Sequence, residues 1–138
     1  DSILRRLLAR FLDYLDMKTL ERRQDRTSRF TPVLEYIDAH LADSISLDTL
    51  AGIMHLSSTH FAEAFAAALG ISPRRYINRR RMEAAQHLLE TTEAPVKTVA
   101  AQVGYTDPFY FARLFTRMVG AAPTAYRTVH AHRLPRPS

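Results

Sequence analysis

An all-α fold is predicted, built from two similar helical modules on one chain. Three observations predict it. One pattern occurs twice, 50 residues apart: Phe61, Phe65, Gly70, Pro73 and Tyr76 recur as Phe111, Phe115, Gly120, Pro123 and Tyr126. Apolar residues recur at three- and four-residue spacing along most of the chain, the period of a helix with one buried face. No alternating stretch of useful strand length interrupts them. A unit of helix, tight turn, second helix, glycine stop and proline restart is thus used twice, with Ala51 and Ala100 at matching places. Two copies make two modules rather than a solenoid.

The elements follow in order. Residues 2 to about 20 read as an extra amphipathic helix, with Leu4, Leu7, Leu8, Phe11, Leu12 and Leu15 in a stripe and Arg5, Arg6, Arg10, Asp13 and Asp16 largely off it. The polar segment 21–29 is expected to be a linker or a frayed helix end. Thr31-Pro32 reads as a helix start, a capping hydroxyl before a first-turn proline. Val33, Ile37 and Leu41 then give that helix one apolar side. Ser46 is expected to cap the next, with Leu47, Leu50, Ala51 and Met54 inward. Ser57 or Ser58 should cap the following helix, which carries Phe61, Phe65 and Leu69 and stops at Gly70.

Pro73 opens the longest helix, expected over 73–92, with Tyr76, Ile77, Ala84, Ala85, Leu88 and Leu89 on its apolar face. Pro95 starts a short helix with Val96, Val99, Ala100 and Val103, broken by Gly104. Thr106 or Asp107 should cap the next, with Pro108 in its first turn and Phe111, Leu114, Phe115 and Met118 inside. Gly120 ends it, and Pro123 starts a last short helix. The expected units are an N-terminal helix and linker (1–29), a first module (30–80), a linking helix (73–92), a second module (93–128) and a disordered tail (129–138).

Composition narrows the function. Cysteine is absent, which excludes disulfides, zinc–cysteine sites and a cysteine nucleophile. The histidines are scattered without metal-ligand spacing, so no cofactor and no metal are expected. Nothing approaches the ~20 apolar residues of a membrane span. The chain starts at Asp1 without a methionine or a signal-peptide pattern, and is expected to be a fragment of a longer protein. Net charge is +5, from 17 Arg and 2 Lys against 14 acidic residues. Arginine excess favours a polyanionic partner, because the guanidinium fork matches phosphate.

A helix-turn-helix needs a small residue at the crossing, a turn, a cap on the second helix and an apolar inner face on that helix. Both copies meet this, although His55 stands where the second copy has Gly104. Residues 46–127 resemble the DNA-binding domain of the AraC/XylS family of bacterial transcription regulators. The segment 99–127 carries most of the resemblance, through Ala100, Gly104, Tyr105, Asp107, Pro108, Tyr110, Phe111, Arg113, Phe115, Gly120, Pro123, Tyr126 and Arg127. The linking helix matches through Tyr76, Arg81, Met82, Ala85, Leu88 and Leu89. The resemblance implies two helix-turn-helix modules joined by a long helix on one face of double-stranded DNA. Independently, about 20 residues at roughly 1.5 Å each span ~30 Å, close to one turn of B-DNA. Recognition helices at about 57–69 and 107–119 are therefore expected to enter successive major grooves of an asymmetric site.

Base-reading candidates on the second recognition helix are Pro108, Phe109, Tyr110, Arg113 and Arg117. Arg113 stands where the family contacts bases, and an arginine there can take guanine O6 and N7 together. Phe109 suits a thymine methyl. The first recognition helix offers Thr59, His60, Ala62 and Glu63, while 46–69 contains no Lys or Arg. Glu63 either accepts from a cytosine amino group or is a solvated carboxylate. Phosphate candidates are Ser57, Ser58, Arg74, Arg75, Arg79, Arg80, Lys97, Thr106 and Asp107, whereas Arg81 is expected to pack and pair internally.

The resemblance further implies RNA polymerase as a partner, an effector bound by a missing N-terminal domain, and a cytoplasmic, nucleoid-associated location. The N-terminal helix is expected to support a homodimer. An enzyme is not expected. The remaining rival is a helical interaction module with weak non-specific DNA binding.

Overall fold

The computed structural model describes residues 2–130. Among them every regular element is a helix: α1 (Ser2–Ser28), α2 (Thr31–Ala39), α3 (Leu47–Ile53), α4 (Ser58–Leu69), α5 (Pro73–Thr91), α6 (Val96–Gln102), α7 (Pro108–Val119) and α8 (Pro123–His130). The expected disordered tail lies outside the described residues from position 131 on, while Val129 and His130 close α8 instead.

The local signals explain the element ends. Ser46 accepts from the Thr49 amide, Ser57 from His60 and Ser72 from Arg75, so three helices begin on hydroxyl caps. Asp107, rather than Thr106, caps α7 by accepting from the Phe109 and Tyr110 amides. Gly70 at φ 79° and Gly120 at φ 94° end α4 and α7 in the left-handed region, which a side chain disfavours.

The start of α2 differs from expectation. Thr31 is the first helical residue and caps nothing; Phe30 holds the cap position without a side-chain bond. The reason is tertiary. Phe30 is buried, its ring 6.2 Å from Phe61 and 5.5 Å from Phe65. Burying an aromatic ring outweighs a cap of ~1 kcal/mol. The segment 21–28 is helix, not linker. It holds neither glycine nor proline, and the Thr27 and Ser28 hydroxyls bond back to the Arg23 and Asp25 carbonyls. Helix α1 is thus one rod, and none of its residues is buried.

Each module has its own core, and α5 serves both. The first core joins Phe30, Val33, Ile37, Leu50, Ala51, Phe61 and Phe65 to Ile77 of α5. The second joins Val99, Ala100, Val103, Tyr105, Phe111, Leu114 and Phe115 to Met82, Ala85 and Leu89 of α5. The repeat is geometric as well as sequential. Phe61 and Phe65 stand 5.6 Å apart at 48°, and Phe111 and Phe115 stand 5.7 Å apart at 48°. Tyr76 meets Phe65 edge-on at 5.7 Å, as Tyr126 meets Phe115 at 5.6 Å. Leu47 and Met118, expected inward, are 39% and 44% exposed. Both lie on the apolar face but in an end turn of their helix, Leu47 as the first residue of α3 and Met118 as the next-to-last of α7.

Candidate nucleic-acid interface

Both modules present their second helix through the same tight turn. The Leu56 amide donates to the Ala51 carbonyl at 3.0 Å, and the Tyr105 amide to the Ala100 carbonyl at 2.9 Å. The residue before each is left-handed, His55 at φ 56° and Gly104 at φ 98°. Ala51 and Ala100 are buried at the helix crossing, where a longer side chain would hold the pair apart. The second turn carries one more residue, Thr106, so that Ser57 and Asp107 occupy equivalent cap positions.

The exposed faces of α4 and α7 are unlike. On α4, Thr59, His60 and Glu63 are exposed and Ala62 is half-buried. On α7, Arg113 and Arg117 are exposed, Phe109 is 74% exposed, and Pro108 is half-buried. Tyr110 is 39% exposed and leans on Tyr105, with ring centres 6.1 Å apart. Of these two helices only α7 is cationic, and α4 presents a carboxylate where α7 presents guanidinium groups.

Several phosphate candidates are already engaged. The Ser57 hydroxyl caps α4, and the Ser58 hydroxyl donates to the Asp48 carboxylate. The Asp107 carboxylate holds the Phe109 and Tyr110 amides and adds a negative charge where a phosphate would sit. Arg80 departs furthest from expectation. Its Nε and Nη2 reach both Asp38 oxygens at 2.9 and 3.3 Å, and its Nη1 reaches Glu83 at 2.6 Å. Donating to the Asp38 carboxylate raises the Arg80 pKa. Arg80 ties α5 to α2 instead of pointing at a ligand.

The other cations line two grooves beside α5. A cleft of about 840 Å³ runs between the modules, with Ala62 of α4 on one side, Tyr110 of α7 on the other, and Arg74, Asn78 and Arg81 of α5 along its floor. A smaller groove of about 380 Å³ is lined by Arg75, Asn78 and Arg79 of α5 and by Leu114, Arg117 and Met118 of α7. Arg117 thus joins Arg75 and Arg79, away from the helix start where Phe109 projects. Lys97 and Thr106 are exposed and join neither cluster, although Thr106 edges the larger cleft. Asn78 lines both grooves and accepts from the Tyr105 hydroxyl at 2.9 Å, yet sequence reasoning passed over it. The signal was its spacing, because Arg74, Asn78 and Arg81 share one side of α5. Burial, the largest influence, raises the Tyr105 hydroxyl to about 12.

A helix-turn-helix domain model matches residues 50–128, more than half of the chain. The DNA-binding domain of AdpA, solved with a target DNA, is 30% identical; the alignment covers 75% of this chain and 94% of that one, with a TM-score of 0.71. The chain belongs to the AraC/XylS family. The C-terminal domain of AraT, a response regulator of Geobacillus stearothermophilus, is 29% identical over 73% of this chain and 84% of its own, with a TM-score of 0.70. The arabinose operon regulatory protein of Salmonella typhimurium is 37% identical over 101 residues, 72% of this chain and 36% of its own length. The chain spans between about a third and a half of the first curated relatives it matches. The AraC-type match begins inside α3 and ends in α8, so α1 and α2 precede it. Among the described residues no helix is long and apolar enough to cross a membrane.

Proposed function

We propose that this chain is the sequence-specific DNA-binding part of a transcription regulator, reading two unlike boxes with α4 and α7. One observation carries the asymmetry: a single chain holds two helix-turn-helix units whose exposed faces differ in charge and shape. Helix α5 has 19 residues, about 28 Å at roughly 1.5 Å per residue, which suits boxes one turn of B-DNA apart. Arg113 and Phe109 read bases from α7. Arg75, Arg79 and Arg117 hold phosphate from their shared groove, which moves Arg117 from base reader to backbone clamp. The test is selection of bound sequences from random duplexes at about 50 and about 200 mM salt, where affinity resting on phosphate neutralisation falls steeply. Two enriched boxes about 10 bp apart would support the reading. Binding that is absent or indifferent to salt would sink it.

Two predictions belong here. Changing Arg75, Arg79 and Arg117 together to glutamine should flatten the dependence of log affinity on log salt by about 0.9 for each phosphate that is no longer neutralised. The weakening should be equal on selected and random DNA; weakening confined to the selected site would return Arg117 to base reading. Glu63→Ala should raise affinity for random duplex by removing a carboxylate from α4, whereas unchanged affinity would mean that Glu63 stands clear of phosphate.

RNA polymerase, an effector held by a further domain and a cytoplasmic location belong to the same reading, by analogy with the regulators it resembles. Helix α1 belongs to it as a pairing element. Its apolar stripe is 43–67% exposed, and an antiparallel second copy would set Arg5, Arg6 and Arg10 beside Asp13 and Asp16. Sedimentation that gives a monomer at every concentration would remove this part.

A further inference from the structure

The turn before α7 comes up against the segment between α2 and α3, and Arg81 fastens the two there. The helix pairs in broad contact lie on one side of the molecule or involve α5. On α5, Arg81 lies between Ile77 of the first core and Met82 and Ala85 of the second. Its Nε donates to the Leu41 carbonyl at 3.0 Å and its Nη2 to the Asp43 carbonyl at 2.7 Å, both between α2 and α3. The same guanidinium stands 5.5 Å from the centre of the Tyr105 ring, in the turn between α6 and α7. Tyr105 is held in turn by Asn78, which accepts from its hydroxyl. Gly104 completes the junction. At φ 98° it brings the second turn so near the first module that a Cβ would strike the Leu41 carbonyl and the Arg81 guanidinium.

We propose that this junction of Arg81, Leu41, Gly104 and Tyr105 is a spacing lock, which fixes how α7 is turned relative to α4 and so selects one distance between the two DNA boxes. The inference rests on the DNA-binding reading above. One base pair added between the boxes moves the second by about 3.4 Å along the axis and about 34° around it. A rigid pair of reading helices cannot follow both changes. A pair free to swing about α5 can. Arginine suits the task because one planar fork makes two directed bonds to one module while its face lies on an aromatic ring of the other.

The test uses the whole chain and duplexes carrying the two boxes that the wild type enriches, with the spacer shortened or lengthened by one or two base pairs. The wild type should lose about tenfold or more for each base pair, the scale of a mismatched base pair. Arg81→Met should retain its helix content and bind all spacers within a few-fold of one another. Arg81→Lys, which keeps the charge and loses the fork, should fall between them and serves if the methionine variant does not fold. A spacing profile unchanged in both variants overturns the lock while leaving the DNA reading intact. A wild type that enriches no second box overturns the lock too, and one that binds no duplex overturns the reading beneath it.

Discussion

Arg113→Ala is expected to lower affinity for the selected site by about 10- to 100-fold, the worth of one bidentate arginine–guanine pair. Affinity for random duplex should fall only slightly, by one screened charge. The position of Arg113 carries this expectation. It is exposed on α7, one turn beyond Phe109, and it lines neither groove beside α5. Arg75 has the same charge but shares its groove with Arg79 and Arg117, and neutralising that groove should weaken all sequences alike. Equal weakening on selected and random DNA for Arg113→Ala would show that it too binds the backbone. A repeat selection with the variant gives a second measure, since base preference should relax at one position of one box and stay intact elsewhere.

Phe115→Ala is expected to be the most destabilising single change, costing about 3–5 kcal/mol. Phe115 is fully buried, 5.7 Å from the Phe111 ring and 5.6 Å from Tyr126. Its removal leaves a cavity where α7, α8 and α5 meet. A small domain holds only about 5–15 kcal/mol in total, so most of its stability would go. Denaturant unfolding followed by circular dichroism measures it. Phe65→Ala should cost a similar amount, because its ring has the matching partners Phe61 and Tyr76. Both cores share α5, so a single unfolding transition is expected for the wild type. A cost below about 1 kcal/mol at Phe115 would mean that the site collapses around the cavity, contrary to the close packing of these rings.

The parts legible in the sequence were those that local chemistry decides. Ser46 and Ser57 cap their helices, and Gly70, Gly104 and Gly120 take left-handed backbone, because a cap or a stop acts within about four residues. The inner face of α7 was legible for Phe111, Leu114 and Phe115, since helical period carries it. Period became unreliable in the end turns, where Leu47 opens α3 and Met118 nearly closes α7, and both are exposed although they lie on the apolar face. At the start of α2 a distant core outweighed a local signal, and Phe30 took the place expected of Thr31 as cap.

The sequence by itself determined the class, the two modules, the linking helix and the family, because repeat spacing, caps and apolar period are all written within one or two helical turns. The internal pairing of Arg81 was legible from its place beside the apolar face of α5, but tertiary structure alone decided what each of the arginines meets. Arg74, Arg75, Arg79, Arg80 and Arg81 are near neighbours in sequence and chemically identical. Arg80 is held by Asp38, 42 residues away, and Arg81 by the Leu41 carbonyl, 40 residues away. Arg75 and Arg79 share a groove with Arg117 from another helix. A guanidinium takes its role from the acceptor that reaches it, and here those partners come from other helices and loops, set beside α5 only when both modules pack against it.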